Sequence, residues 1–164
     1  MVENNTDIPK DSGYKLGYII FVMIFAGIGG ALYGYDIGVI NGVLLFITKD
    51  IPMDDYQMGM IVGAILIPSA AAIIITGKLA DWFGRKKMLI VSAIVFLISV
   101  WMLVEAQTYH MVLYSRWLQG LAVGVITIVV PLYLAETIPS HLRGRGVGIF
   151  QLFLTAGILL GTLV

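Results

Sequence analysis

The chain has 164 residues, 59% of them hydrophobic and 12% charged, with ten basic residues balanced by ten acidic ones and a mean hydropathy of +0.96. That composition lies outside the range of water-soluble domains, so the lipid bilayer is the solvent to reason with. With no cysteine in the sequence, a disulfide framework and a thiolate metal site are both excluded.

Residues 1–16 are expected to form a cytoplasmic tail containing Lys10 and Lys15. Asn4-Asn5-Thr6 matches a glycosylation sequon by letter, and a cytoplasmic tail makes that match a coincidence. The apolar run that follows, from Leu16 to about Ile47, holds one charge, Asp36. A signal-peptide core is only about 7 to 15 residues long, so this run is a retained transmembrane helix, predicted over 17–47.

Four further apolar segments follow at about 57–79, 88–106, 111–135 and 147–164. Each is about twenty residues long, enough to span the hydrocarbon core, and each is predicted helical because lipid cannot satisfy open backbone groups. Segments two and four contain Pro68 and Pro131, read either as gating kinks or as tolerated ones. Residues 17–164 thus form a partial helical bundle. The run that begins near Gly146 is still apolar at Val164, so a truncated last helix and a fragment are expected.

Between segments two and three lies Gly77-Lys-Leu-Ala-Asp81-Trp-Phe-Gly84-Arg85-Lys86-Lys87, predicted to be a tight turn at the membrane surface. Alternating the joints puts Lys10, Lys15, Lys78, Arg85, Lys86, Lys87, Arg143 and Arg145 on one side. The other side holds Lys49 with Asp50, Asp54, Asp55 and Glu105. The positive-inside rule makes the basic side cytoplasmic and places the N-terminus there. His110 and His141 have no second ligand at metal-site spacing and are read as interfacial residues. No metal, cofactor or nucleic-acid partner is expected, and no enzyme constellation is present.

Full charges at lipid depth are costly, which singles out Asp36 in the first segment and Arg116 in the fourth. Asp36 lies about 20 Å of helix from Lys49, and Arg116 about 9 Å from His110, so both fall in the outer half. An apposed pair would offset each other's desolvation. Two readings are open: a static ion pair holding two helices together, or a proton-coupling switch. In the second, Asp36 is the titrating member, because arginine keeps its proton.

Gly30, Gly34, Gly38 and Gly42 form a small-residue ridge on the first segment, and Gly120 and Gly124 form one on the fourth, both suited to close helix packing. Asp36 lies about 160° around the helix from Gly34 and Gly38, so its carboxylate is expected to face another neighbour or a cavity. In the fifth segment Gln151 and Thr155 form a polar stripe. The Gln151 amide suits either a sugar hydroxyl or a neighbouring helix.

Three motifs coincide in a pattern that resembles the sugar porter family of the major facilitator superfamily. Gly77 to Lys87 matches the superfamily's G-x-x-x-D-x-x-G-R-[RK]-[RK] signature, and Arg116-Trp-Leu-Gln-Gly120-Leu-Ala-Val-Gly124 its R-x-x-x-G-x-x-x-G helix. Pro131-Leu-Tyr133-Leu-Ala-Glu136-Thr-Ile-Pro139-Ser-His-Leu-Arg143-Gly144 resembles the more specific sugar-porter pattern P-x-Y-x-x-E-x-x-P-x-x-x-R-G. The resemblance runs from about Gly17 to the end of the chain. It implies an all-α membrane protein, the first five helices of a twelve-helix fold of two halves, in the plasma membrane.

By the same resemblance Gln151 is a sugar ligand, Ile158 and Tyr33 line the sugar site, and Asp36 with Arg116 couples transport to protons. Asp81, Arg85, Glu136 and Arg143 would form a cytoplasmic charge network that gates by being made in one state and broken in another. The implied activity is proton-coupled monosaccharide symport by alternating access. A facilitative sugar or polyol uniporter and a non-transporting sugar sensor are the alternatives. The implied C-terminal half, expected to be needed for transport, is not in this sequence.

Overall fold

The computed structural model describes residues 16–140 and 142–163. The expected tail falls outside these residues except for Leu16, which opens the first helix; His141 also falls outside them. Six helices follow in order: α1 (Leu16–Asp50), α2 (Asp55–Gly63), α3 (Leu66–Phe83), α4 (Arg85–Val104), α5 (Tyr109–Thr137) and α6 (Arg143–Thr162). Because α2 and α3 share one span, Asp55–Phe83, the described residues hold five spans long and apolar enough to cross a bilayer. The chain is a multi-pass membrane protein.

Local chemistry explains the helix limits. Gln57 Oε1 accepts from the Asp54 N–H at 3.1 Å at the start of α2, and Thr108 Oγ1 accepts from the Met111 N–H at 3.4 Å at the start of α5. The segment expected as one helix over 57–79 breaks at Ala64 and Ile65. Pro68 explains the position: it has no N–H to offer the Ala64 carbonyl four residues earlier, and its ring clashes with that carbonyl. Pro131, by contrast, lies within a continuous α5.

The basic turn expected over 77–87 is largely helical. The last turns of α3 run to Phe83 and α4 starts at Arg85, leaving Gly84 alone to reverse the chain with φ 84° and ψ 143°. That positive φ favours glycine, which has no Cβ to clash. The Gly84 N–H closes α3 on the Ala80 carbonyl at 3.1 Å, and its own carbonyl accepts from the Met88 N–H at 3.2 Å. One residue therefore ends one helix and begins the next.

Packing runs opposite to that of a soluble bundle. α4 exposes Ile90, Val91, Ile94, Leu97, Ile98 and Trp101 and buries Ser92 and Ser99, whose hydroxyls donate to the Leu89 and Phe96 carbonyls. Lipid accepts the apolar side chains, and small residues let helix backbones approach. α1 pairs closely with α6, where Gly34 and Gly38 lie against the backbone of Leu154 and Ile158 and Gly157 and Gly161 lie against Ala31 and Tyr35. α5 touches every other helix and meets α3 through Gly120 and Gly124.

A Cβ added at Gly124 would stand 2.5 Å from the Ser69 carbonyl oxygen and 2.7 Å from Ala72 Cβ, whereas one at Gly144 meets nothing within 4 Å. Gly124→Ala is predicted to destabilise the fold by about 1–3 kcal/mol, in the range of other overpacked sites. Gly144→Ala is predicted to be neutral or stabilising by up to about 1 kcal/mol. Thermal unfolding of the purified protein in detergent checks the contrast.

Candidate functional site

Asp36 on α1 and Arg116 on α5 meet with Arg116 Nη1 at 3.4 Å from Asp36 Oδ2, their side chains 14% and 4% exposed. The same Nη1 donates to Gln119 Oε1 at 2.9 Å, one turn further along α5. Gln119 is fully buried, and its Nε2, like Arg116 Nε, is a buried donor with no acceptor among the described residues. Above the pair Ile40, Leu44, Ile61 and Val112 form an apolar cluster; Ile40 and Val112 are each four residues from one of the charges. The pair thus lies about one helical turn, roughly 6 Å, from a buried apolar cluster.

Asp36 and Arg116 open onto different spaces. Asp36 lines a groove of about 530 Å³ against Phe96, Leu97 and Val100 of α4. Arg116 lines one of about 340 Å³ against Ile65, Leu66 and Ser69 at the α2–α3 break. Tyr33 lines both and stands as the partition between them. The glycine ridge of α1 faces α6 while Asp36 faces α5, as the helical offset of about 160° requires.

Arg85 gathers the second cluster. Its Nη2 lies 2.7 Å from Asp81 Oδ1 and its Nε lies 2.9 Å from Glu136 Oε1, while Nη1 donates to the Ala80 carbonyl at 3.1 Å. The Nε contact with Glu136 is one of charge, because the N–H is not aligned on the carboxylate oxygen. α3, α4 and α5 are tied together at their basic ends by one guanidinium. Arg143 does not join them: its Nε donates to the Ile138 carbonyl at 3.3 Å, and it makes no ion pair among the described residues. Its place at the start of α6 brings it to the frayed carbonyl end of α5, where a cation is favoured.

The three residues expected at a sugar site do not converge on one another through described contacts. Tyr33 stays beside Asp36 and Arg116. Gln151 is exposed on α6 with its amide unbonded among the described residues, although its backbone carbonyl accepts from Thr155 Oγ1 at 3.0 Å. Ile158 is half-buried, its backbone set against Gly34 and Gly38.

Sequence reading passed over Gln119, although the signal was present: a second polar residue three positions after Arg116 falls on the same face of an apolar helix. It also missed the contact between the Tyr18 and Tyr133 hydroxyls, 3.4 Å apart, which joins α1 to α5 at the basic end. Nothing in the spacing of residues 115 positions apart announces that pair.

A family model described as sugar (and other) transporter matches residues 22–164. The D-xylose transporter of Levilactobacillus brevis is 40% identical over 140 residues, 85% of this chain and 31% of that protein. The glucose transporter GlcP of Staphylococcus epidermidis is 41% identical over 147 residues, 90% of this chain and 32% of that protein. A solved structure of the major facilitator superfamily proton:xylose symporter XylE, known from E. coli, with 6-bromo-6-deoxy-D-glucose bound, superposes with a TM-score of 0.77. Its identity is 26%, over 90% of this chain and 36% of that one. The chain spans about a third of the length of the curated relatives it matches.

Breaking a buried ion pair from one side leaves an uncompensated charge and typically costs about 3–5 kcal/mol. Arg116→Met is predicted to destabilise the bundle by that amount, and Asp36→Asn combined with Arg116→Met to recover most of it. Midpoints of thermal unfolding for the single and double variants check this. A loss in the double variant equal to the sum of the losses in Asp36→Asn and Arg116→Met alone would mean that the pair is not energetically coupled.

Proposed function

The chain belongs to the sugar (and other) transporter family, and from that membership we propose that it forms part of a carrier that moves a monosaccharide together with protons by alternating access. The observation that carries the proton-coupled reading is the contact between Asp36 and Arg116, buried between two helices beside an apolar cluster. A carboxylate in that position is ionised while it holds the arginine and releases it on taking a proton. Arginine keeps its charge throughout, so one proton converts an ion pair into a free guanidinium and a neutral acid. The likeness to relatives named as sugar transporters and to a proton:xylose symporter supports the same reading.

The sugar itself is met from α1 and α6. Tyr33 offers an aromatic face one turn from Asp36, and Gln151 offers an amide that donates and accepts as sugar hydroxyls do. Ile158 supplies an apolar wall. Their separation in this chain suits a site completed by further protein, in keeping with the share of its relatives that the chain covers. The N-terminus is assigned to the cytoplasm because Arg85, Lys86, Lys87, Arg143 and Arg145 crowd one side, and the plasma membrane is the location that the family resemblance implies.

At that side Asp81, Arg85 and Glu136 act as a gate. Arg85 is 25% exposed and its partners 66% and 44%, so each contact contributes at most about 1 kcal/mol. Such contacts are too weak to hold a fold and well matched to bias two states of nearly equal energy. Arg143, expected in the same network, donates to the Ile138 carbonyl at the end of α5 in this arrangement.

In proteoliposomes containing the full-length protein, Asp36→Asn is predicted to abolish sugar accumulation driven by a proton gradient while leaving sugar exchange intact. Accumulation that persists in this variant would assign coupling to another group, and wild-type uptake that only equilibrates would identify a facilitative carrier. Glu136→Gln is predicted to shift the balance of the two access states up to about fivefold, the factor for about 1 kcal/mol. Single reporter cysteines in an otherwise cysteine-free background, labelled from each side of the membrane, read this balance directly.

A further inference from the structure

We propose that α2 is a hinged flap at the end of the bundle away from Arg85, Lys86 and Lys87: it swings about the Ala64–Ile65 break and opens the cavity in front of Arg116 to water on that side. The inference rests on the alternating-access reading above and names an element that moves. The hinge lies in the backbone. Pro68 leaves the Ala64 carbonyl without the N–H that a continuous helix would offer, so bending there breaks no helical bond at that carbonyl.

The two sides of the break are held differently. On the α3 side Gly120 and Gly124 of α5 seat the chain closely: a Cβ at Gly120 would stand 2.6 Å from the Ile65 carbonyl oxygen, and one at Gly124 2.5 Å from that of Ser69. Ile65 is therefore a fixed pivot. On the α2 side a Cβ added at Gly59 or Gly63 meets nothing within 4 Å. Ile61 is the one buried residue of α2, seated in the cluster with Ile40, Leu44 and Val112, while Tyr56 is 77% exposed. A single apolar side chain latches the flap.

Ile61 belongs to both the latch and the cavity. The space of about 340 Å³ has Ile61 and Val62 of α2 on one wall, Leu66 and Ser69 of α3 beyond the break, and Arg116 and Val123 of α5 behind. Withdrawing Ile61 from Ile40 thus unroofs the cavity in the movement that undoes the latch. Water entering there reaches Arg116, whose Nε is a buried donor with no acceptor among the described residues. Because Asp36 and Arg116 sit on α1 and α5, access to the pair changes without any displacement of those helices.

The test is thiol labelling of the full-length protein in right-side-out vesicles, with a membrane-impermeant maleimide and one reporter, Val123→Cys, in an otherwise cysteine-free background. Val123 is 4% exposed, so its labelling rate reads the opening of the cavity. Ile61→Ala removes most of the latch and is expected to speed labelling about tenfold or more. Pro68→Ala restores the missing N–H and is expected to slow labelling about tenfold, a change that unfolding cannot mimic because unfolding quickens labelling. A separate reporter, Tyr56→Cys, is expected to label equally fast in every background and controls for access of the reagent.

A Pro68→Ala rate at or above that of the parent, an Ile61→Ala rate no faster than it, or labelling only from the basic side overturns the flap and leaves the carrier reading standing. Absence of sugar uptake by the full-length wild type in proteoliposomes overturns the carrier reading, whatever the labelling rates.

Discussion

Lipid provides little hydrophobic gain when two apolar helices meet, and this constraint governs the arrangement of the chain. Association depends on how closely backbones approach, and the glycines set that distance. Gly34 and Gly38 fit α1 to α6, and Gly120 and Gly124 seat α5 on α3 at the α2–α3 break. α5 thereby becomes the central helix, in contact with all the others. Its buried face carries Arg116 and Gln119 as well as the two glycines, so the close packing that forms the bundle also brings a guanidinium into the dry region beside Asp36.

Two tiers of electrostatics follow. The inner pair is almost fully removed from solvent, and losing one partner there is expensive. The outer cluster around Arg85 is partly exposed, and each of its contacts is cheap to break. It also answers a local conflict. α4 opens with Arg85, Lys86 and Lys87, three cations at the end of the helix that repels positive charge, and no acid lies in its first turn. Asp81 and Glu136 approach from α3 and α5 and offset that repulsion through Arg85. The basic residues cluster at this end, and the neighbouring helices supply the compensation.

Much of this was legible in the sequence because the bilayer makes hydropathy an explicit code. The length of the apolar runs, the isolation of Asp36 and Arg116, and the motif spacing around Gly84 and Glu136 all pointed to the observed arrangement. What stayed hidden depended on backbone detail or on distance along the chain. Pro68 was visible, yet its effect on Ala64 four residues earlier appears only when the carbonyl is followed. The run from Gly77 to Lys87 looked like a turn because its composition is polar, whereas all but Gly84 keep helical geometry. Arg143 was grouped with Glu136 by charge, and the structure gives it to a carbonyl because α6 starts there. Gln119 escaped notice because its signal, an amide three residues after Arg116, falls at an unspecified position of the motif.

The one-residue joint at Gly84 also bears on how the chain enters the membrane during synthesis. With a single residue between them, α3 and α4 form a helical hairpin with its bend at the membrane surface. Arg85, Lys86 and Lys87 sit at its bend, and carrying each through the bilayer centre would cost at least about 2.5–3.5 kcal/mol on the insertion scale. The bend is therefore retained on the side where it was made. The positive-φ glycine that joins the two helices therefore also holds three cations together at one surface, where a longer loop would have let them spread.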